Sequence, residues 1–173
     1  MTILIYHNRQ LGSDQRDTVD GGSWSCNTQH NTKIHTNKDK TIAIGISGHL
    51  AGPKETKRIV EVIEILIMEY VASGDLNPKP FSKEISDSIF YKTRNQFFVM
   101  THDDFWVMDK ETLSFIEVYP PYFSGSGSPC ASLCIELGFS MEEAITHTAK
   151  VCNECGHGVH VLDQDSLGVI SNA

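Results

Sequence analysis

Apolar and polar positions follow two different periods along this chain. Within residues 54–73 the apolar side chains Ile59, Val60, Ile63, Leu66, Ile67, Tyr70 and Val71 recur three and four residues apart, while Glu55, Glu61, Glu64 and Glu69 take the other faces. This is the helical period, and it predicts one long amphipathic helix stopped by Gly74. Elsewhere the apolar runs are short and rich in β-branched or aromatic residues, which predicts strands. Residues 2–6, the polar break Asn8-Arg9-Gln10 and Leu11-Gly12-Ser13-Asp14 predict a tight opening hairpin, and residues 41–48 a buried strand ending in small side chains. Residues 97–101, 105–108 and 115–118, joined by the polar turns 102–104 and 109–112, predict a meander. Ala131, Leu133, Cys134 and Leu137 predict a helix closed at Gly138, and Ser140 with Glu143 makes a capping box for a further helix reaching Cys152. Residues 159–162 predict a last strand and 168–173 a loose tail. Residues 18–37 are polar and read as a long surface loop anchored by Trp24, and 75–88, with Pro78 and Pro80, predict at most a short helical turn. Strands cluster before and after blocks of helix, the pattern of a layered α+β sandwich and not of an alternating parallel sheet.

Composition narrows the function. With 173 residues, 40% of them hydrophobic and 21% charged, the chain has material for one core, and a single domain over 1–173 is expected. Fourteen Lys and Arg against 22 Asp and Glu leave a net charge of −8, which lacks the positive field that a nucleic-acid backbone requires. The longest apolar run, residues 59–71, is interrupted by three glutamates and is too short for a bilayer core of about 30 Å, so no membrane span is expected. The start of the chain has no basic region followed by a long apolar core, and the five cysteines (26, 130, 134, 152, 155) form an odd set without a small-scaffold spacing. Reduced thiols in a cytoplasm are the expectation.

The second residue introduces chemistry. Methionine before a small residue is normally trimmed, which at Met1-Thr2 exposes an amine and a hydroxyl on one residue. Such a threonine can act as its own nucleophile and base, because the α-amine, with an ordinary pKa of roughly 7.7–8.0, titrates near neutrality. It needs a cation beside it, a carboxylate to hold the cation and backbone donors for an oxyanion. Residues 2–16, Lys33-Ile34, Gly45-Ile46-Ser47-Gly48 and Ser124-Gly125-Ser126-Gly127-Ser128-Pro129, followed by Phe139-Ser140-Met141-Glu142-Glu143-Ala144, come in the order and spacing of proteasome β subunits and bacterial proteasome-like peptidases. On these motifs residues 2–163 resemble an N-terminal-nucleophile hydrolase, including the short proteasome-like sequences of bacteria and tailed phages.

That resemblance implies a four-layer αββα sandwich and a set of roles. Thr2 takes the place of the nucleophilic threonine, Asp14 that of the carboxylate closing the first hairpin, and Arg16 that of an arginine often found beside it. Lys33 matches the lysine that lies against the nucleophile, Gly45 the glycine whose N–H forms the oxyanion hole, with Gly48 at the G-x-x-G spacing, and Ser126 the serine near the threonine amine. Thr18 and Ser47 fall where a substrate peptide is paired as an added strand. An ungapped match over the short hairpin puts Met1 over the nucleophile instead, whereas the spacing back from Asp14 and the aromatic Tyr6 favour Thr2. Ile3 replaces a second threonine that many members carry, and Cys152 and Cys155 stand where proteolytic members have an aspartate and a serine. The implied activity is that of a threonine-type endopeptidase acting on peptides or unfolded proteins in a homo-oligomeric ring, without a cofactor, and with any ATP-driven unfoldase on a separate chain. A catalytically silent subunit used as a binding or regulatory module is the alternative, and an N-terminal-nucleophile amidase for small substrates a third reading. Cys152-x-x-Cys155 followed by His157 and His160 also raises zinc, but the interval to His157 is unlike a finger and cysteines three apart at a helix end pack as small apolar residues. Gly125-Ser126-Gly127 lacks the lysine of a phosphate-binding loop.

Overall fold

The computed structural model describes residues 3–15, 32–48, 53–74, 95–109, 114–152, 155–156 and 158–170. The chain opens with β1 (Leu4–His7) and β2 (Gln10–Asp14), paired with Leu4 opposite Ser13 and His7 opposite Gln10. Asn8 and Arg9 between them carry φ of 47° and 59°, the left-handed pair that a two-residue hairpin turn demands. Then follow β3 (Ile34–Thr36), β4 (Ile42–Ser47), the long helix α1 (Pro53–Ser73), and the strands β5 (Gln96–Thr101), β6 (Phe105–Met108), β7 (Phe115–Glu117) and β8 (Tyr122–Ser124). Helices α2 (Ser128–Glu136) and α3 (Met141–Val151), strand β9 (Val159–Asp163) and a 3-10 turn (Gln164–Ser166) complete the order.

The strands form two antiparallel sheets, ordered β8-β1-β2-β9 and β3-β4-β5-β6-β7. Period-two alternation assigns their faces. In β1 the Leu4 and Tyr6 side chains meet Ala43, Phe98, Met100 and Phe105 between the sheets, while Ile3 and Ile5 point outward onto Ala131, Met141 and Ile145 of α2 and α3. In the second sheet Ile42, Ile44, Phe97 and Val99 point outward onto Ile59, Ile63 and Ile67 of α1. Both faces of each sheet are therefore covered, which explains why the central strands read as continuous apolar runs. The layers are helix, sheet, sheet, helix: the α+β sandwich expected from the sequence. Buried Gln164 fastens the sheets to each other, accepting from the Tyr6 hydroxyl at 2.7 Å and donating to the Thr101 carbonyl at 2.7 Å.

The hairpin, the long helix, the meander, the capping box on Ser140 and the last strand stand where the sequence puts them. Two edge strands, β3 and β8, do not. β3 lies inside the segment read as loop, because three residues with one fully apolar member give no period to detect. β8 falls between two prolines and a small-residue run. The expected loose tail is corrected over its described part: the Gly168 amide donates to Lys40 O at 3.0 Å and Ile170 packs on the α1 core. Trp24 and the weak segment 75–88 lie outside the described residues. Among the described residues no helix is long and apolar enough to cross a membrane.

Candidate active site

The hairpin register puts Asp14, the last residue of β2, beside Ile3. The Ile3 amide donates to Asp14 Oδ1 at 2.8 Å, and the Asp14 amide reaches back to Ile3 O at 3.4 Å. Lys33, immediately before β3, is held by the Ile46 amide, which donates to its carbonyl at 2.8 Å. Its Nζ then meets Asp14 Oδ1 at 2.7 Å, with the two side chains 1% and 0% exposed. Asp14 Oδ2 accepts a further bond, from the Gly156 amide, at 3.1 Å. Removing two charges from water costs several kcal/mol per ion and is recovered only when the geometry is good and the remaining lone pairs are satisfied. A fully buried lysine–carboxylate pair with amide donors on both oxygens is thus expensive to build where apolar residues would do, which makes it the candidate site among the described residues.

Gly156 owes its place to its backbone. Its φ of +142° is closed to residues with a side chain, and its carbonyl accepts from Gln15 N at 3.2 Å, so the segment before β9 is tied to the end of β2. Sequence reading missed Gly156 as a partner of Asp14; the only signal was the glycine pair around residue 157, and nothing local shows what the amide faces.

Gly45, in β4 opposite Ile34, passes under β1: a Cβ there would stand 2.7 Å from Leu4 Cδ2. Gly127 passes closer still, with a Cβ 2.4 Å from Ile3 Cγ1 and 2.8 Å from Thr148 Cγ2. Both neighbours are β-branched and cannot yield freely. Gly127→Ala is expected to lower stability by about 1–3 kcal/mol, measured as a lower urea midpoint at unchanged slope. Ser126, exposed at the same turn, hydrogen-bonds the Cys155 sulfur. Ser47 is buried, and its Oγ accepts from Ser124 Oγ at 3.0 Å. Of the residues singled out in sequence, Asp14, Lys33, Gly45 and Ser126 converge on the start of β1. Thr2, Arg16 and Thr18 lie outside the described residues.

Cys155 is buried beside the ion pair, and burial, followed by the bond to Cys152 and the nearby Asp14 charge, pushes its thiol up to about 12. Its sulfur lies 3.3 Å from that of Cys152, and both are free thiols. Among the described residues no three His, Cys, Asp or Glu side chains converge as a metal site would require; His157 is outside them. His160 instead shares with His35, Thr32 and Lys40 a cavity of about 470 Å³ at the sheet edge. Burial holds both imidazoles below their usual range and so favours their neutral forms.

No protein family and no curated protein matches the chain by sequence. Solved structures do match by shape. The crystal structure of eukaryotic HslV from Trypanosoma brucei covers 93% of this chain and 97% of its own at a TM-score of 0.62 and 11% identity. BPH of Thiobacillus denitrificans, solved in complex with epoxomicin, matches at a TM-score of 0.58 and 12% identity over 93% of this chain and 96% of its own. BPH solved by itself gives 0.58 at 13% identity, over 93% and 95%. The chain has the four-layer α+β fold of HslV and BPH.

Proposed function

We propose that the chain is a proteasome-like threonine peptidase, a single domain over 1–173 working in the cytoplasm as a homo-oligomeric ring on peptides or unfolded proteins. The observation that carries this reading is the buried Asp14 carboxylate, which accepts both Lys33 Nζ and the amide of Ile3, the nitrogen that joins Ile3 to Thr2. With Met1 removed, Thr2 Oγ attacks the substrate carbonyl while the Thr2 α-amine takes the hydroxyl proton, directly or through water. Lys33 stabilises the developing charge, Asp14 orients Lys33, and the Gly45 N–H receives the oxyanion. The tetrahedral intermediate collapses to an ester on Thr2, the amine leaves with a proton, and water then releases the acyl group. Ser126 lies on the amine side, Arg16 supports Asp14, and Thr18 and Ser47 offer backbone to an extended peptide. Exposed Ile65 and Met68 on α1 and Leu133 and Leu137 at the end of α2 support burial against neighbouring copies. Any unfoldase belongs to another chain.

A catalytically silent subunit is the second reading, favoured by Cys152 and Cys155 standing where proteolytic members carry an aspartate and a serine. Mass spectrometry of the protein from its native host separates the two. The peptidase reading expects loss of Met1 and a covalent adduct on Thr2 after exposure to an epoxyketone; retained Met1 and no adduct would sink it.

A further inference from the structure

The cysteines beside the ion pair have a chemistry that the peptidase mechanism leaves unused. Cys152 caps the end of α3 and is half-buried, whereas Cys155 is buried. The Cys155 amide donates to Cys152 O at 3.0 Å, a turn that brings both side chains to one side and their sulfurs to 3.3 Å. A disulfide bond is about 2.05 Å long, so closure brings the sulfurs together by only about 1.3 Å. Cys130 and Cys134 differ, being four residues apart along α2. Helical spacing keeps such Cβ atoms about 5–6 Å apart, outside the range of roughly 3.5–4.5 Å that a disulfide spans.

We propose that Cys152 and Cys155 form a two-electron redox site, a dithiol that closes to a disulfide under peroxide and in closing slows the site that contains Asp14 and Lys33. The more accessible Cys152 sulfur attacks one peroxide oxygen, the O–O bond breaks, and the departing oxygen leaves as water, giving Cys152 sulfenic acid. The Cys155 sulfur then attacks Cys152, the S–S bond forms, and the S–O bond breaks. The hydroxyl leaves as a second water with the Cys155 proton. Two thiols are oxidised by two electrons and one peroxide becomes two waters. A thiol such as glutathione reverses the step by exchange.

Closure reaches the ion pair through two partners of Cys155, Gly156 and Ser126. The next amide, that of Gly156, is the donor to Asp14 Oδ2, and the Ser126 hydroxyl bonds the sulfur that moves. A shift of about 1 Å in a positioning group costs on the order of a hundredfold in rate, so labelling of Thr2 slows on the order of ten- to a hundredfold in the disulfide form. That consequence rests on the peptidase reading; the redox couple does not.

The test uses the full chain, equilibrated with hydrogen peroxide or with mixtures of reduced and oxidised glutathione, alkylated, and weighed intact and as peptides. The expected result is loss of the mass of two hydrogen atoms, mapped to Cys152 and Cys155, reversed by dithiothreitol and absent in Cys152→Ser. Recovery of both cysteines as separately alkylated thiols, mixed disulfides or sulfinic acids overturns the proposal. In the second arm the reduced wild type reacts with an epoxyketone at Thr2 faster than the oxidised form, while Cys152→Ser reacts equally under both conditions. Equal rates in the wild type overturn the coupling. If the reduced protein fails to react at all, the threonine mechanism fails, and the alkylation map still decides the redox couple.

Discussion

Thr2→Ala is expected to lower peptide hydrolysis by on the order of 10⁴-fold or more, the size of loss seen when a covalent nucleophile is removed. Alanine is small enough for Met1 to be trimmed in the same way, so the variant keeps the free amine and loses only the attacking oxygen. It also keeps the following peptide nitrogen, and with it the bond from the Ile3 amide to Asp14. Melting temperature should therefore stay close to that of the wild type. Thr2→Ser retains the hydroxyl and should keep measurable hydrolysis and epoxyketone labelling. The measurement is kcat/KM on a fluorogenic peptide for the three proteins after host processing has been checked by mass. Full activity in Thr2→Ala would remove Thr2 from the mechanism altogether.

Lys33→Met should be costly in a second currency. It deletes the cation 2.7 Å from Asp14 Oδ1 and leaves the carboxylate in a place with no solvent exposure, a change worth about 3–5 kcal/mol of stability. Replacing both members, as Asp14→Asn with Lys33→Met, removes the charge along with its partner and should recover part of that loss; the rest persists because the asparagine NH2 group leaves one of the two backbone amides that donate to Asp14 without an acceptor. If the pair is catalytic, the double variant regains stability and stays inactive. If it is only structural, activity returns with the fold. Urea unfolding of the two single variants and the double, read beside peptide hydrolysis, distinguishes these outcomes.

Much of this was written in local patterns. Ile59, Ile63 and Ile67 announce α1 through their spacing, and the alternation of Leu4 and Tyr6 with Ile3 and Ile5 announces a strand buried on both faces. Asp14 is legible because hairpin register is local: two residues in a turn fix which residue meets Ile3. Lys33 was legible only through the resemblance of its motif, since the contact that seats it, Ile46 N–H to its carbonyl, comes from another strand. Gly156 and β8 were not legible. The Gly156 amide is a backbone group, identical in every residue but proline, and its partner is 142 positions away. Tyr122, Phe123 and Ser124 become a strand only because β1 offers them an edge.

The spread of donors around Asp14 bears on when the site comes into being. Its carboxylate draws on Ile3, 11 positions before it, on Lys33, 19 after, and on Gly156, 142 after. The first contact closes with the hairpin and costs little chain entropy; the last waits until the chain has been made through β9 and β9 has docked on β2. A chain still emerging from the ribosome therefore carries Asp14 without its full set of donors. Assembly in this order leaves the carboxylate's partners incomplete during synthesis, and truncation anywhere before Gly156 yields a fragment lacking the third donor to Asp14, whatever else of the sandwich it retains.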